Sequence, residues 1–196
     1  MRVVRSLFNE SINLLFSITI AVVLFLIIKS YLVQPFQVEG HSMDLTLTDG
    51  SQMLLLKQTK IDRFDIVVFP DPMGSGQSYV KRLIGLPGDS LYVKDDVLYI
   101  NNQPIAEPYL EPLKSQTEGI FTQDFSLWDT IGEEVIPEGY YFVLGDNRPA
   151  SGDSRQFGLV PIESIQGETS IVYFPFNQIK KLNHYQLDAT GQVMVE

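Results

Sequence analysis

Residues 79–89 read Tyr79-Val80-Lys81-Arg82-Leu83-Ile84-Gly85-Leu86-Pro87-Gly88-Asp89. A run of aromatic, β-branched and aliphatic residues that stops at Gly, Pro and Asp has the composition of a strand entering a turn. In a strand Lys81 and Leu83 share one face, and Val80 and Arg82 the other. A lysine among apolar neighbours ordinarily snorkels or pairs with a carboxylate. It becomes a general base only if its amine is neutral near pH 7. That means lowering its pKa from ~10.4 by about 3, a cost of roughly 4 kcal/mol that only burial in an apolar site supplies. Arg82 cannot take this role, because a guanidinium does not deprotonate in proteins.

Outward from this stretch, similar runs recur between turn residues: 53–56, Phe64-Asp65-Ile66-Val67-Val68-Phe69, 140–144 and 170–174. Lengths of about 4–8 residues suit strands. Ser90-Leu91-Tyr92-Val93 and Val97-Leu98-Tyr99-Ile100, joined by Lys94-Asp95-Asp96, predict a hairpin, and Asn101-Asn102-Gln103-Pro104 turns the chain again. Residues 107–134 show no clean period and read as an extended excursion. The expected fold class is mainly β.

The N-terminal end differs. Ser11 to Ile28 are 18 residues without a charge, between Glu10 and Lys29. As a helix they span roughly 27 Å, close to the hydrocarbon thickness of a bilayer. A cleaved secretory leader requires small residues at the end of the apolar run, and here the run ends Ile28-Lys29-Ser30-Tyr31-Leu32-Val33. The segment is therefore expected to remain as an anchor. Arg2 and Arg5 favour a cytoplasmic N-terminus. The predicted organisation is a tail and transmembrane anchor over 1–33, then an extracytoplasmic β-rich domain over 34–196.

Composition narrows the chemistry. The 196 residues carry 14 Lys+Arg against 24 Asp+Glu, a net charge of −10, which argues against nucleic acid as a partner. With no cysteine, thiolate ligands, thiol nucleophiles and disulfides are excluded. Two histidines, His41 and His184, exclude a multi-histidine metal site, and neither a metal nor a cofactor is expected.

Two further clusters offer reactive groups. Gly40-His41-Ser42-Met43 lies in a turn between two expected strands. A serine there is most often a turn former, but Gly40 permits close backbone approach, and amides around Ser42 are placed to face a developing oxyanion. Gly145-Asp146-Asn147-Arg148-Pro149-Ala150-Ser151-Gly152-Asp153-Ser154-Arg155 carries two Asp-x-Arg pairs, 146/148 and 153/155. These are expected to brace the loop as local ion pairs. Ser151 then offers a neutral hydroxyl to orient a reactive amine.

Taken together, Ser42-Met43 after a membrane span, the 79–89 block and the 145–155 block resemble, in order and spacing, the bacterial type I signal peptidases. Residues 64–69 match a further block of that family, and the likeness runs from the anchor to about Phe176. The resemblance implies a membrane-bound serine endopeptidase with a Ser/Lys dyad on a mostly β fold. It implies that signal peptides of exported preproteins are the substrates, cleaved after small residues, with the lipid bilayer as the other partner. Carried over, Ser42 is the nucleophile and Lys81 the general base. Ser151 orients the lysine, and Asp146, Arg148, Asp153 and Arg155 support it. Where some members carry a serine that aids the oxyanion, this chain has Gly40, so the hole must use backbone amides, chiefly that of Ser42. Two departures stand out: Leu45 replaces the usual proline of Ser-Met-x-Pro, and Pro149-Ala150 replaces a polar pair.

Three other readings compete. A Ser/His hydrolase has candidates in His41 and His184, although His41 adjoins Ser42 and is poorly placed to reach its hydroxyl. A non-catalytic peptidase-like factor assisting surface-protein assembly fits the two departures, and retention of both Ser42 and Lys81 counts against it. An anchored binding module leaves the lysine block unexplained.

Overall fold

The computed structural model describes residues 2–188 and 191–195; the side chains of residues 2–9, 28 and 30, Arg2 and Arg5 among them, lie outside the described part. Helix α1 covers Arg2–Tyr31. Within it Glu10–Ile27 has a mean hydropathy of 2.2 and no buried residue, so its apolar surface faces away from the rest of the chain. A helical stretch that is apolar all round and has no buried residue among those described is suited to lipid. Only Leu32 separates α1 from the first strand.

The strands follow in chain order: β1 (Val33–Gln37), β2 (Gln52–Leu56), β3 (Ile66–Pro70), β4 (Ser78–Gly85), β5 (Leu91–Lys94), β6 (Val97–Ile100) and β7 (Gln103–Ile105). After a short helix α2 (Glu111–Lys114) come β8 (Phe125–Ser126), α3 (Leu127–Ile131), β9 (Tyr140–Leu144), α4 (Ser154–Phe157), β10 (Val160–Pro161) and β11 (Gly167–Phe174). The chain closes with β12 (Lys180–Lys181), β13 (Tyr185–Leu187) and β14 (Val193–Val195). The larger sheet runs β1-β2-β11-β3-β4-β9-β10, with β12 on β11; a second sheet runs β7-β6-β5-β8. The mainly β expectation holds.

Alternation along β3 sets the cores. Ile66 and Val68 join Val38, Met43, Leu47, Met53, Leu55, Val80 and Val172 on one face of the large sheet. Val67 and Phe69 join Leu83, Tyr141, Val143 and Val160 on the other. A third cluster, with Phe64, Ile84, Phe142 and Leu144, fastens the second sheet to the first.

The predicted hairpin is β5–β6, paired from Leu91↔Ile100 to Lys94↔Val97. Its two loop residues, Asp95 and Asp96, have φ of 52° and 62°, the sign pattern of a tight hairpin turn that matches strand twist. Residues 107–134 are more ordered than the sequence suggested. They supply α2, β8 and α3, and Tyr109, Leu110, Phe121 and Leu127 are buried in the third cluster. These apolar residues are spaced to meet a neighbouring sheet rather than to line one helix or strand, so no period appears.

Candidate active site

β4 aims Lys81 and Leu83 to one face, as alternation requires, and register places Lys81 opposite Val67. Lys81 is 4% exposed. Its Nζ lies 2.8 Å from Ser42 Oγ, 3.0 Å from the Val80 carbonyl oxygen and 5.2 Å from the Tyr79 ring centroid. Burial lowers the amine to about 8, against the Asp153 and Asp146 carboxylates, which favour the charged form.

Ser42 is held by its own loop and by the loop after β9. Gly40, at φ +85°, donates its N–H to Asp49 Oδ1 at 2.8 Å. Met43 is buried beneath the loop, and its carbonyl accepts from the amides of Thr46 and Leu47. The Ser42 carbonyl accepts from the Asn147 amide at 3.0 Å, and the Asn147 side chain donates to the His41 carbonyl at 2.9 Å. The two loops are therefore sewn together on either side of the serine. A cavity of about 230 Å³ opens beside it, bordered by Phe36, Tyr79, Val80, Lys81, Ala150 and Gly152 among others.

Gly145 explains how closely the parts approach. A Cβ there would lie 2.1 Å from Ser151 Oγ and 2.5 Å from the Ser42 carbonyl oxygen. Only a residue without a side chain fits between them.

The ion pairs differ from expectation at one of two places. Asp153 and Arg155 do pair, with Nε and Nη2 of Arg155 donating to the two carboxylate oxygens at 2.8 and 2.7 Å. Asp146 and Arg148 do not pair with each other. Asp146 accepts from Arg82 Nε and Nη2 at 2.8 and 2.6 Å and from the Thr46 hydroxyl at 2.6 Å. Arg148 instead donates to Glu107 and to the Gly145 carbonyl. Arg82 and Arg148 are both buried, and a buried guanidinium takes the carboxylate that its geometry permits, whatever the sequence separation. Arg82 also stacks on Tyr109, its guanidinium carbon 4.0 Å from the ring centroid. Sequence reasoning missed Arg82, Asn147, Thr46 and Glu107 as supports: the first three lie within or beside the quoted blocks but their partners are distant in sequence, and Glu107 lies outside them.

This network bears on Lys81. Both carboxylates that act on its amine have their oxygens occupied: Asp146 by Arg82 and Thr46, Asp153 by Arg155 and the Gly145 amide. Neither is left to clasp the amine, so the lysine keeps the hydroxyl as its partner.

Ser151 is buried beside Gly145, but the expected hydrogen bond to Lys81 is not formed; among the described residues its Oγ has no hydrogen-bond partner. The two histidines do not approach the serine hydroxyl as partners: His41 Nδ1 lies 3.1 Å from Asp44 and His184 Nδ1 3.0 Å from Asp65. Leu45 has φ +65°, a value closed to proline. Pro149 sits in the helical turn Arg148–Ala150, where its fixed φ is compatible.

A β framework that sets a buried lysine amine against a serine hydroxyl holds the parts of a serine hydrolase. The comparisons narrow that class. The sequence signature of the family described as "Signal peptidase, peptidase S26" matches residues 11–174. Signal peptidase I of Bacillus licheniformis is 44% identical over 173 residues, covering 84% of this chain and 89% of that protein. Signal peptidase IB of Staphylococcus aureus is 37% identical over 181 residues, covering 88% and 94%. The crystal structure of a signal peptidase I from Enterococcus faecalis is similar with a TM-score of 0.54 at 47% identity, covering 56% of this chain and 97% of that one. The chain belongs to the signal peptidase S26 family.

Proposed function

We propose that this protein is a membrane-bound endopeptidase that removes signal peptides from exported preproteins after small residues, with Ser42 and Lys81 as its catalytic dyad. The observation that carries the reading is the 2.8 Å approach of a buried Lys81 amine to Ser42 Oγ. In this mechanism the neutral amine takes the hydroxyl proton as the oxygen attacks the scissile carbonyl. The resulting ammonium protonates the departing amine. Water then hydrolyses the acyl-enzyme, with Lys81 again the base. Since the Gly40 amide is engaged by Asp49, the Ser42 amide is assigned to the oxyanion.

Asp146 and Asp153, held by Arg82 and Arg155, set the field at the lysine, and Arg148 fastens the loop carrying Ser151. Ser151 Oγ, without a partner, is assigned to orient the amine once substrate or water fills the cavity. Residues 1–33 are assigned as the anchor, with a cytoplasmic N-terminus, and 34–196 as the extracytoplasmic catalytic domain.

The test is cleavage of a detergent-solubilised preprotein by wild type, Ser42→Ala and Lys81→Ala. Wild type cuts at a small residue, and each variant loses at least 10³-fold in rate. Equal cutting by all three overturns the proposal, and no cutting by wild type favours the non-catalytic assembly factor.

A further inference from the structure

Away from the dyad, three residues distant in sequence meet at the far edge of β3. Asp65 immediately precedes β3, Glu168 lies in β11, and His184 sits between β12 and β13. One ligand atom from each lies within 4.8 Å of the other two. Such a set, one imidazole and two carboxylates, has the donor chemistry of a transition-metal site.

The second observation is Asp65 itself. It is 4% exposed, and its Oδ2 accepts from the Asp62 amide at 2.7 Å. Among the described residues its buried Oδ1 accepts no hydrogen bond, although His184 Nδ1 is 3.0 Å away. A buried carboxylate oxygen without a hydrogen bond is costly unless a cation serves it. Two donor atoms bound to one Zn²⁺ at about 2.0–2.1 Å lie about 3.3 Å apart in tetrahedral geometry, close to the separation seen here. Bound to one ion, the two atoms would present lone pairs to it and share no proton.

The surroundings fit an ion. Asp65, Glu168 and His184 border a cavity of about 10 Å³, roughly the space of a single water or cation. The Asp62 amide donates to Asp65 Oδ2, the kind of outer partner that holds a metal ligand in place. Glu168 is partly exposed, and its carboxylate lies within 4.8 Å of the other two ligand atoms.

We propose that Asp65, Glu168 and His184 bind a single divalent first-row transition ion, of the Zn²⁺ kind, which ties the C-terminal segment to the large sheet. Imidazole in the set selects against Ca²⁺ and Mg²⁺, which take oxygen ligands. The role is structural: Lys81 and Ser42 need no metal, and the ion clips the segment after β12 to β3 and β11. No spacing motif announces the site, because its ligands come from positions 65, 168 and 184.

The test uses the full chain in detergent, stripped by chelator and titrated with Zn²⁺ against a chromophoric competitor. One Zn²⁺ binds per chain, and His184→Ala, Glu168→Gln and Asp65→Asn each weaken binding at least tenfold. His41→Ala, which removes the other histidine, leaves stoichiometry and affinity unchanged. Co²⁺ in place of Zn²⁺ gives visible absorption bands that disappear in His184→Ala. Circular dichroism of the metal-free partly exposed variants, His184→Ala and Glu168→Gln, confirms that they remain folded, so their loss reads the site and not the fold. Absence of saturable Zn²⁺ binding, or binding unaltered in His184→Ala and Glu168→Gln, overturns the proposal and shows an ordinary Asp65–His184 ion pair.

Discussion

The role proposed for Lys81 carries a cost in stability. Lys81 has a folded-state pKa of about 8 against an ordinary 10.5. The unfolded chain therefore binds more protons between pH 8 and 10.5, and stability rises with pH through that window. Below pH 8 the fold bears the full penalty, about 3 kcal/mol at 1.36 kcal/mol per pH unit. Two results follow from the same shift. Cleavage by wild type rises with pH through an apparent pKa near 8, read from kcat/KM of the free enzyme. Lys81→Met should lose activity yet unfold at higher denaturant than wild type at pH 7, and the advantage should shrink between pH 8 and 10.5 and be gone above it. A pH-independent kcat/KM, or a Met variant less stable than wild type at pH 7, contradicts this account. At Gly145 the demand is steric. The Cβ of Gly145→Ala would meet Ser151 Oγ at 2.1 Å and the Ser42 carbonyl at 2.5 Å, and the second is backbone that cannot rotate away. The displaced serine should cut about 10²-fold more slowly, with far less effect on Tm. Unchanged turnover in this variant would place the serine loop elsewhere. The sequence identified Ser42 and Lys81 because each lies in a stretch whose residue types are constrained locally. Their pairing came from the family resemblance and not from local rules, since 39 positions separate the two.

At the scale of elements, the site depends on links between segments that each look self-sufficient. The 145–155 loop reads as braced by its own Asp-x-Arg pairs, yet only 153/155 closes locally. Asp146 reaches back to Arg82 on β4, and Arg148 to Glu107 after β7. Local rules recovered the β5–β6 hairpin, because a two-residue Asp-Asp turn has few conformations open to it. They failed for 107–134, whose buried residues answer to the second sheet and to Phe64 rather than to each other. Arg82 and Asp146 are 1% and 2% exposed, so removal of one partner leaves an uncompensated charge in the interior. Asp146→Ala should cost about 3–5 kcal/mol in chemical denaturation. Adding Arg82→Leu should recover much of that loss, because a buried ion pair and an apolar replacement are close in stability. Additive losses in the double variant would show that the two residues act independently, contrary to their hydrogen bonds.

For the whole molecule, the short connection between helix and sheet is decisive. α1 ends at Tyr31 and β1 begins at Val33, paired along its full length with β2, while the Leu32 carbonyl accepts from the Lys57 amide. The catalytic sheet thus hangs from the helix with almost no free linker, unlike a domain on a flexible tether. With α1 in a bilayer, β1 starts at the lipid surface, and Phe36 on that strand borders the cavity beside Ser42. On the proposed function, a substrate whose own apolar segment lies in the same bilayer would meet the site at a fixed height and in a nearly two-dimensional search. Removal of residues 1–31 takes away no residue that is buried among those described. The truncated chain should fold and cut a soluble peptide within about threefold of the full chain. On a preprotein reconstituted in lipid vesicles it should lose about 10²-fold or more, the loss expected when effective concentration falls to bulk values. Equal loss on both substrates would mean that α1 supports the catalytic sheet directly. Equal activity on both would mean that the membrane adds nothing, and that encounter is set by the cavity alone.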